Sequence, residues 1–146
     1  MKKDFFTYQA QTSPHPLAIE IAHAKGSYIY DTKGKKHLDF VAGVSANSLG
    51  HQHPKVSQAI KDQVDKYSHV MVYGEFVQET PVALCKALSE TFPKRKMAVY
   101  LTNSGTEATE GALKLAKRVT GRSEIIAAKN SYHGNTQGAM SISGAE

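Results

Sequence analysis

The sequence predicts an α/β protein in which a parallel βαβ unit follows an N-terminal hairpin and helix. Residues 97–128 show a short apolar run, then a helical pattern, then a second apolar run. This strand, helix, strand order is typical of parallel strands joined by a crossover helix. Upstream, residues 28–40 combine strand-forming residues with a central turn, which indicates a hairpin.

The N-terminal part should begin irregularly, because Pro14 and Pro16 interrupt any helix near them. In the hairpin, Tyr28–Tyr30 form one strand and residues 37–40 return after a turn. A glycine-rich loop follows, and apolar residues then recur at helical spacing from Pro54, a proline suited to the first position of a helix.

The second part alternates helices with short apolar runs. The predicted elements, in chain order, are a helix from Thr80 and Pro81 to Phe92, a strand Met97–Leu101, a helix Gly105–Thr120 stopped by Gly121, a strand Glu124–Ala128, and a helical start at Thr136. We divide the chain into an N-terminal segment, residues 1–68, and the beginning of a larger domain, residues 69–146. Two parallel strands cannot make a covered sheet, so we expect the chain to be a fragment of a larger protein.

Composition excludes several classes of protein. The chain has 146 residues, 40% of them hydrophobic, and a single cysteine, Cys85, which argues against a disulfide framework. We find no secretory h-region and no apolar stretch of membrane-spanning length, so we predict a cytoplasmic protein without a membrane partner. The net charge of +5 is dispersed over short loop clusters such as Lys33–Lys36. Solvated loop charge explains it better than a nucleic-acid surface does.

The stretch Asn103–Thr106 lies where the first strand of the βαβ unit passes into its helix. The first N–H groups of a helix have no partner within it, and they can bind an anion. Gly105 allows close approach, and the hydroxyls of Ser104 and Thr106 are further donors. Alternatively, these are ordinary capping and turn residues, which on this tetrapeptide alone is the more frequent case. The pattern matches neither a P-loop nor a dinucleotide fingerprint.

The second strand-to-helix junction, Asn130–Gly134, should open at the same edge of the sheet and carries Tyr132 and His133. A flat ring beside a phosphate site suits a phosphorylated aromatic cofactor. Each residue also has an ordinary interpretation, Tyr132 as a packing residue and His133 as a surface loop residue.

Three segments together resemble the class III aminotransferases: "LDFVAGVSANSLGHQHPKV", "TNSGTEATEGALKLAKRVTGR" and "NSYHGNTQGAMS". These are fold-type I enzymes dependent on pyridoxal 5′-phosphate, and they include acetylornithine, ornithine and 4-aminobutyrate aminotransferases. The resemblance runs from about Tyr28 onward. It implies that the chain is the start of the large domain of such an enzyme, and that the complete protein is a homodimer.

The resemblance also implies roles for individual residues. Gly105 and Thr106 give backbone amides to the cofactor phosphate, with Ser104 beside them. Tyr132 stacks on the pyridine ring, and His133 follows it in the site.

The stretch Gly50–Pro54 matches a family signature near the dimer contact and the active site. We interpret His51 and His53 as structural and predict no metal site, because no nearby carboxylate or cysteine completes a ligand set.

No catalytic residue is expected within this chain. The resemblance implies a lysine that forms a Schiff base with the cofactor and an acidic residue at the pyridine nitrogen, both downstream of the Tyr132 motif. Lys114 and Lys117 belong to the helix after the phosphate turn, and no other lysine fits. The 146 residues alone should therefore be inactive.

The implied reaction moves an amino group from an amine or ω-amino acid to a 2-oxo acid. An arginine commonly follows the aromatic-His-Gly triplet in the acetylornithine and 4-aminobutyrate branches, but here the residue is Asn135. In the acetylornithine branch this arginine helps to hold the substrate carboxylate. Asparagine cannot make the bidentate ion pair that arginine makes with a carboxylate, which argues against acetylornithine as the donor. A lyase or mutase on the same scaffold, and a non-catalytic phosphate-binding fragment, remain as alternatives.

Overall fold

The computed structural model describes residues 1–71 and 73–144. The chain forms two compact units, Met1–Glu75 and Phe76–Glu146. The first contains α1 (Lys2–Tyr8), β1 (Ile21–Lys25), β2 (Tyr28–Asp31), β3 (Lys36–Leu38) and α2 (Pro54–Lys66); the second contains α3 (Glu79–Glu90), α4 (Gly105–Thr120) and α5 (Gln137–Ser141). The division after residue 68 stays a prediction. None of the described helices is long and apolar enough to cross a bilayer.

The hairpin predicted at residues 28–40 is present as antiparallel β2 and β3. Its turn is organised by Asp31, whose Oδ1 accepts the amides of Lys33 and Lys35, each at 2.9 Å. The sequence prediction missed β1, which pairs antiparallel with the other side of β2 and carries an irregularity between Ile21 and His23.

Two predicted features of the helices are wrong. The first residues are not irregular, because α1 spans Lys2–Tyr8. Pro14 restricts only its own backbone and that of the residue before it, so it cannot prevent a helix that ends earlier. The sequence also predicts Thr80 as the cap of α3, but Gln78 occupies the N-cap position and Thr80 lies inside the first turn. Pro81 lies in the first turn, as predicted. Proline is tolerated there because first-turn amides have no intrahelical acceptor.

The two strands predicted for the βαβ unit are not formed in this chain. Residues 97–101 and 124–128 do not form strands, and the described residues contain one sheet, β1-β2-β3. A strand is stabilised by hydrogen bonds to a neighbouring strand. No other described segment forms such a ladder with either apolar run, so neither becomes a strand.

The helix between these two runs forms as predicted. It spans Gly105–Thr120, with Ser104 at the N-cap position and Gly121 at the C-cap position. Gly121 has a φ of 69°, the left-handed conformation that favours glycine, and its amide bonds the carbonyl of Lys117 at 2.9 Å.

Candidate phosphate-binding site

The N-terminus of α4 is held by two reciprocal side-chain bonds. The Oγ atom of Ser104 accepts the amide of Glu107 at 3.3 Å. The Oε2 atom of Glu107 in turn accepts the amide of Asn103 at 2.7 Å. This arrangement is a variant of the capping box, in which the acidic side chain bonds the residue before the cap. The turn Asn103–Thr106 is therefore fixed by its own side chains.

The amides of Gly105 and Thr106 are left without an acceptor on the described residues. A Cβ built on Gly105 would meet no atom within 4 Å, so the space beside this residue is open. Adjacent amides at the start of a helix bind anions well, because the helix dipole is positive there. The turn can thus accept a phosphate group at these two amides.

The loop after the second apolar run reaches the same turn. Gly134 is buried, and a Cβ on it would overlap the side chain of Thr106. The hydroxyls of Thr106 and Thr136 lie 3.1 Å apart. The structure therefore brings the two predicted junctions into contact at Thr106, although the strands predicted to align them are not formed.

Tyr132 and His133 precede this contact in the same loop. The Tyr132 side chain is 74% exposed, so it is not a packed core residue of this chain. The amide of His133 donates to Oγ of Ser143 at 3.1 Å, which ties the back of the loop to the segment after α5. The ring of Tyr132 is thus presented to solvent from an anchored loop.

Glu110, which was not predicted as a site residue, also belongs to this region. Its Oε1 accepts the hydroxyl of Thr136 at 2.6 Å and the amide of Gly138 at 2.9 Å. These hydrogen bonds, the one from Thr136 first, hold the pKa of the Glu110 carboxyl below its usual range. Glu110 follows Thr106 by one helical turn, and this four-residue spacing is the one signal in the sequence that pairs them.

His51 and His53 lie in the other unit. The Nε2 atom of His51 is 2.7 Å from Oδ2 of Asp39, and its Nδ1 atom is 2.8 Å from Nδ2 of Asn47. The backbone of His51 also bridges to Gly26. The Nδ1 atom of His53 is enclosed and has no hydrogen-bond partner among the described residues. In the part of the chain that the structure describes, no group of three or more His, Cys, Asp or Glu side chains is arranged to hold a metal ion.

Comparison with known proteins identifies the family. The sequence model of the family described as aminotransferase class-III matches residues 8–146. The chain belongs to the class-III aminotransferases. Among the curated relatives, acetylornithine aminotransferase of Methanothermobacter thermautotrophicus is 42% identical over 126 residues, which cover 86% of this chain and 31% of that protein. Diaminobutyrate–2-oxoglutarate aminotransferase of Haemophilus influenzae is 38% identical over 146 residues, covering 98% of this chain and 32% of that protein.

Solved structures of aminotransferases confirm the predicted fold class. Adenosylmethionine-8-amino-7-oxononanoate aminotransferase from Methanocaldococcus jannaschii matches with a TM-score of 0.91 and 31% identity, covering 99% of this chain and 36% of that one. Taurine:2-oxoglutarate aminotransferase from Bifidobacterium kashiwanohense, solved in complex with pyridoxal phosphate and glutamate, matches with a TM-score of 0.91 and 32% identity, covering 98% of this chain and 32% of that one. The chain spans about a third of the length of these relatives.

Proposed function

We propose that the native protein, expressed from its complete gene, is a pyridoxal-phosphate-dependent aminotransferase, and that this chain supplies the phosphate-binding part of its cofactor site. The observation that carries the proposal is the pair of unpartnered amides at Gly105 and Thr106. The loop bearing Tyr132 packs beside them, where Gly134 contacts the side chain of Thr106. The relative that was solved with pyridoxal phosphate supports the identity of the cofactor.

The described residues fit this cofactor at both of its ends. Its phosphate requires several N–H or O–H donors, which the start of α4 offers. The Oγ atom of Ser104 accepts the Glu107 amide, so its own hydroxyl proton remains available for a phosphate oxygen. The pyridine ring requires a flat apolar surface, and the exposed ring of Tyr132 provides one. We assign His133 to the same site, beside Tyr132.

When bound, pyridoxal phosphate supplies the electron sink that stabilises a carbanion on the amino donor. The residues of this chain bind and orient it. Gly105 and Thr106 hold the phosphate, and Tyr132 limits the tilt of the ring. The lysine that bonds the cofactor and moves the proton is expected outside these 146 residues.

The proposed reaction transfers an amino group from an amine or ω-amino acid to a 2-oxo acid. Several of the curated relatives are acetylornithine aminotransferases, but Asn135 is exposed and stands where that branch commonly has an arginine. The proposed amino donors are therefore amines and ω-amino acids in general, without a preference for acetylornithine. A homodimer in the cytoplasm remains the prediction for the native protein.

The proposal is tested by replacing Gly105 in the native protein. Gly105→Val places a branched side chain where the phosphate must approach, so cofactor retention on dialysis should fall at least about tenfold, the loss expected when one or two hydrogen bonds to a charged group are removed. Gly111→Val is the matched control, since it puts the same residue in the same helix beside Tyr100 rather than at the amides. Equal retention in both variants and the parent would contradict the phosphate assignment.

The type of reaction is tested separately with the parent protein. Conversion of an amine that depends on added 2-oxo acid, with amino acid formed in equal amount, supports transamination. Conversion that proceeds without any acceptor would instead indicate a lyase or mutase.

A further inference from the structure

Glu110 connects the two elements that form the candidate site. It lies on α4, and its Oε1 atom receives the Thr136 hydroxyl and the Gly138 amide. Both donors lie at the start of α5. Among the described helices of this unit, α4 and α5 contact each other. Because the hydrogen bonds favour the charged form, Glu110 is a carboxylate at neutral pH.

The charge of Glu110 fixes the direction of a short hydroxyl chain. A hydroxyl has one proton, and Thr136 gives its proton to Oε1 of Glu110 at 2.6 Å. The hydroxyl of Thr106, 3.1 Å from that of Thr136, must therefore donate to it. The Thr106 hydroxyl proton is thus directed toward α5, which corrects the sequence expectation that this hydroxyl also donates to the anion. The backbone amide is the donor that Thr106 keeps for an anion.

This chain of bonds restrains the backbone of the phosphate turn. A β-branched side chain has few χ1 rotamers, so the bond to Thr136 selects one of them and limits the movement of the Thr106 Cα atom that carries the side chain. Thr106 is held on a second side by Gly134, whose backbone leaves no room for a Cβ. The chain of bonds from Glu110 thus adds a restraint from α5 to a turn that the Ser104 and Glu107 side chains already cap.

We propose that Glu110 is a positioning residue for the phosphate turn, acting through Thr136 on Thr106 so that the amides of Gly105 and Thr106 face the phosphate. This inference rests on the proposed function. A purely structural role, in which Glu110 only anchors α5, makes a different prediction: its loss would change stability without changing phosphate affinity.

Thr136→Val separates the two roles. It removes the link between Glu110 and Thr106, while the bond from Gly138 to Glu110 can remain and hold α5. Binding of inorganic phosphate to the cofactor-free native protein is followed by phosphorus NMR, and unfolding by urea. We expect phosphate affinity to fall about fivefold to tenfold, the effect of one ordinary hydrogen bond, because the variant loosens the turn without removing a donor to the phosphate. Thr136→Ser should restore it, and Thr120→Val, a matched change at the far end of α4, should have no effect.

Glu110→Ala should weaken phosphate binding as much as Thr136→Val does. The phosphate affinity of the double variant should be no lower than that of the single variant with the lower affinity, because both residues act through one chain of bonds. If Glu110→Ala fails to fold, the Thr136 series decides alone. Phosphate affinity within twofold of the parent for Thr136→Val, with loss of affinity in Gly105→Val, would overturn the role of Glu110 but keep the proposed site. Unchanged affinity in Gly105→Val would overturn both.

Discussion

Gly134 lies against Thr106 so closely that a Cβ on the glycine would overlap the threonine side chain. Gly134 also has a φ of 123°, a conformation that is essentially restricted to glycine. The two loops that form the candidate site therefore meet only because one of them has no side chain at the point of contact.

Replacing Gly134 should disturb both stability and binding. Gly134→Ala introduces backbone strain and steric overlap, so we expect the free energy of unfolding to fall by about 2 kcal/mol or more. Phosphate binding should weaken as well, since Thr106 is displaced. Urea unfolding and phosphate titration of the native protein measure the two effects.

The control for this change is Gly34→Ala. Gly34 has a φ of 81°, but a Cβ there would meet nothing within 4 Å. Gly34→Ala should lower the free energy of unfolding by only about 1 kcal/mol, because of backbone strain, and should leave phosphate affinity unchanged. A Gly134→Ala variant that behaves like Gly34→Ala in both measurements would show that the close contact is unimportant.

Removing the cap of α4 should destabilise the protein moderately. Ser104→Ala deprives the Glu107 amide of its acceptor, which we expect to lower the free energy of unfolding by about 1 kcal/mol. The midpoint of urea unfolding measures the change. Ser104→Thr keeps a hydroxyl at the cap and should recover most of the loss. The same midpoint for Ser104→Ala and the parent would argue against the cap.

Tyr132 should contribute to binding rather than to folding. Its side chain is 74% exposed, so Tyr132→Ala should change the free energy of unfolding by less than about 0.5 kcal/mol. In the native protein it should weaken pyridoxal phosphate binding roughly threefold to tenfold and shift the cofactor absorbance, because the ring loses its stacking surface. Tyr132→Phe keeps that surface and serves as the control. An unchanged spectrum and affinity in Tyr132→Ala would return this residue to an ordinary surface role.

Stability should fall in acid because of Asp39. Its carboxylate accepts the amides of Ala42 and Val41 and bonds His51, and these interactions, the Ala42 amide first, hold its pKa below the usual value. The folded state therefore binds fewer protons than the unfolded state as the pH falls through the usual Asp value of about 4. The stabilisation is complete above that pH and is lost as the pH falls through the lower, folded pKa.

The experiment compares the free energy of unfolding of the parent and Asp39→Asn across this acid range. The variant should be less stable at neutral pH and should lose less stability on acidification. Asp65→Asn, which changes an exposed carboxylate on α2, should follow the parent curve. Parallel curves for the parent and Asp39→Asn would show that Asp39 does not contribute to acid unfolding.

Features determined by neighbouring residues could be predicted from the sequence. The limits of α4 follow from Ser104 and Gly121, because capping uses hydrogen bonds within about one helical turn. The β2–β3 hairpin follows from a turn whose Asp31 bonds the amides beside it. The family resemblance also rested on local stretches of sequence, and the match over residues 8–146 confirms it.

Only the tertiary structure decided which distant residues meet. Thr136 bonds Glu110 and Thr106 across sequence separations of 26 and 30 residues, and no local rule pairs them. The apolar runs 97–101 and 124–128 have the composition of strands, yet a strand also requires a hydrogen-bonded neighbour, which the described residues do not supply. Helix capping depends on residues that are neighbours in the sequence. Strand pairing and side-chain packing depend on residues that are distant in the sequence and that only the fold brings into contact.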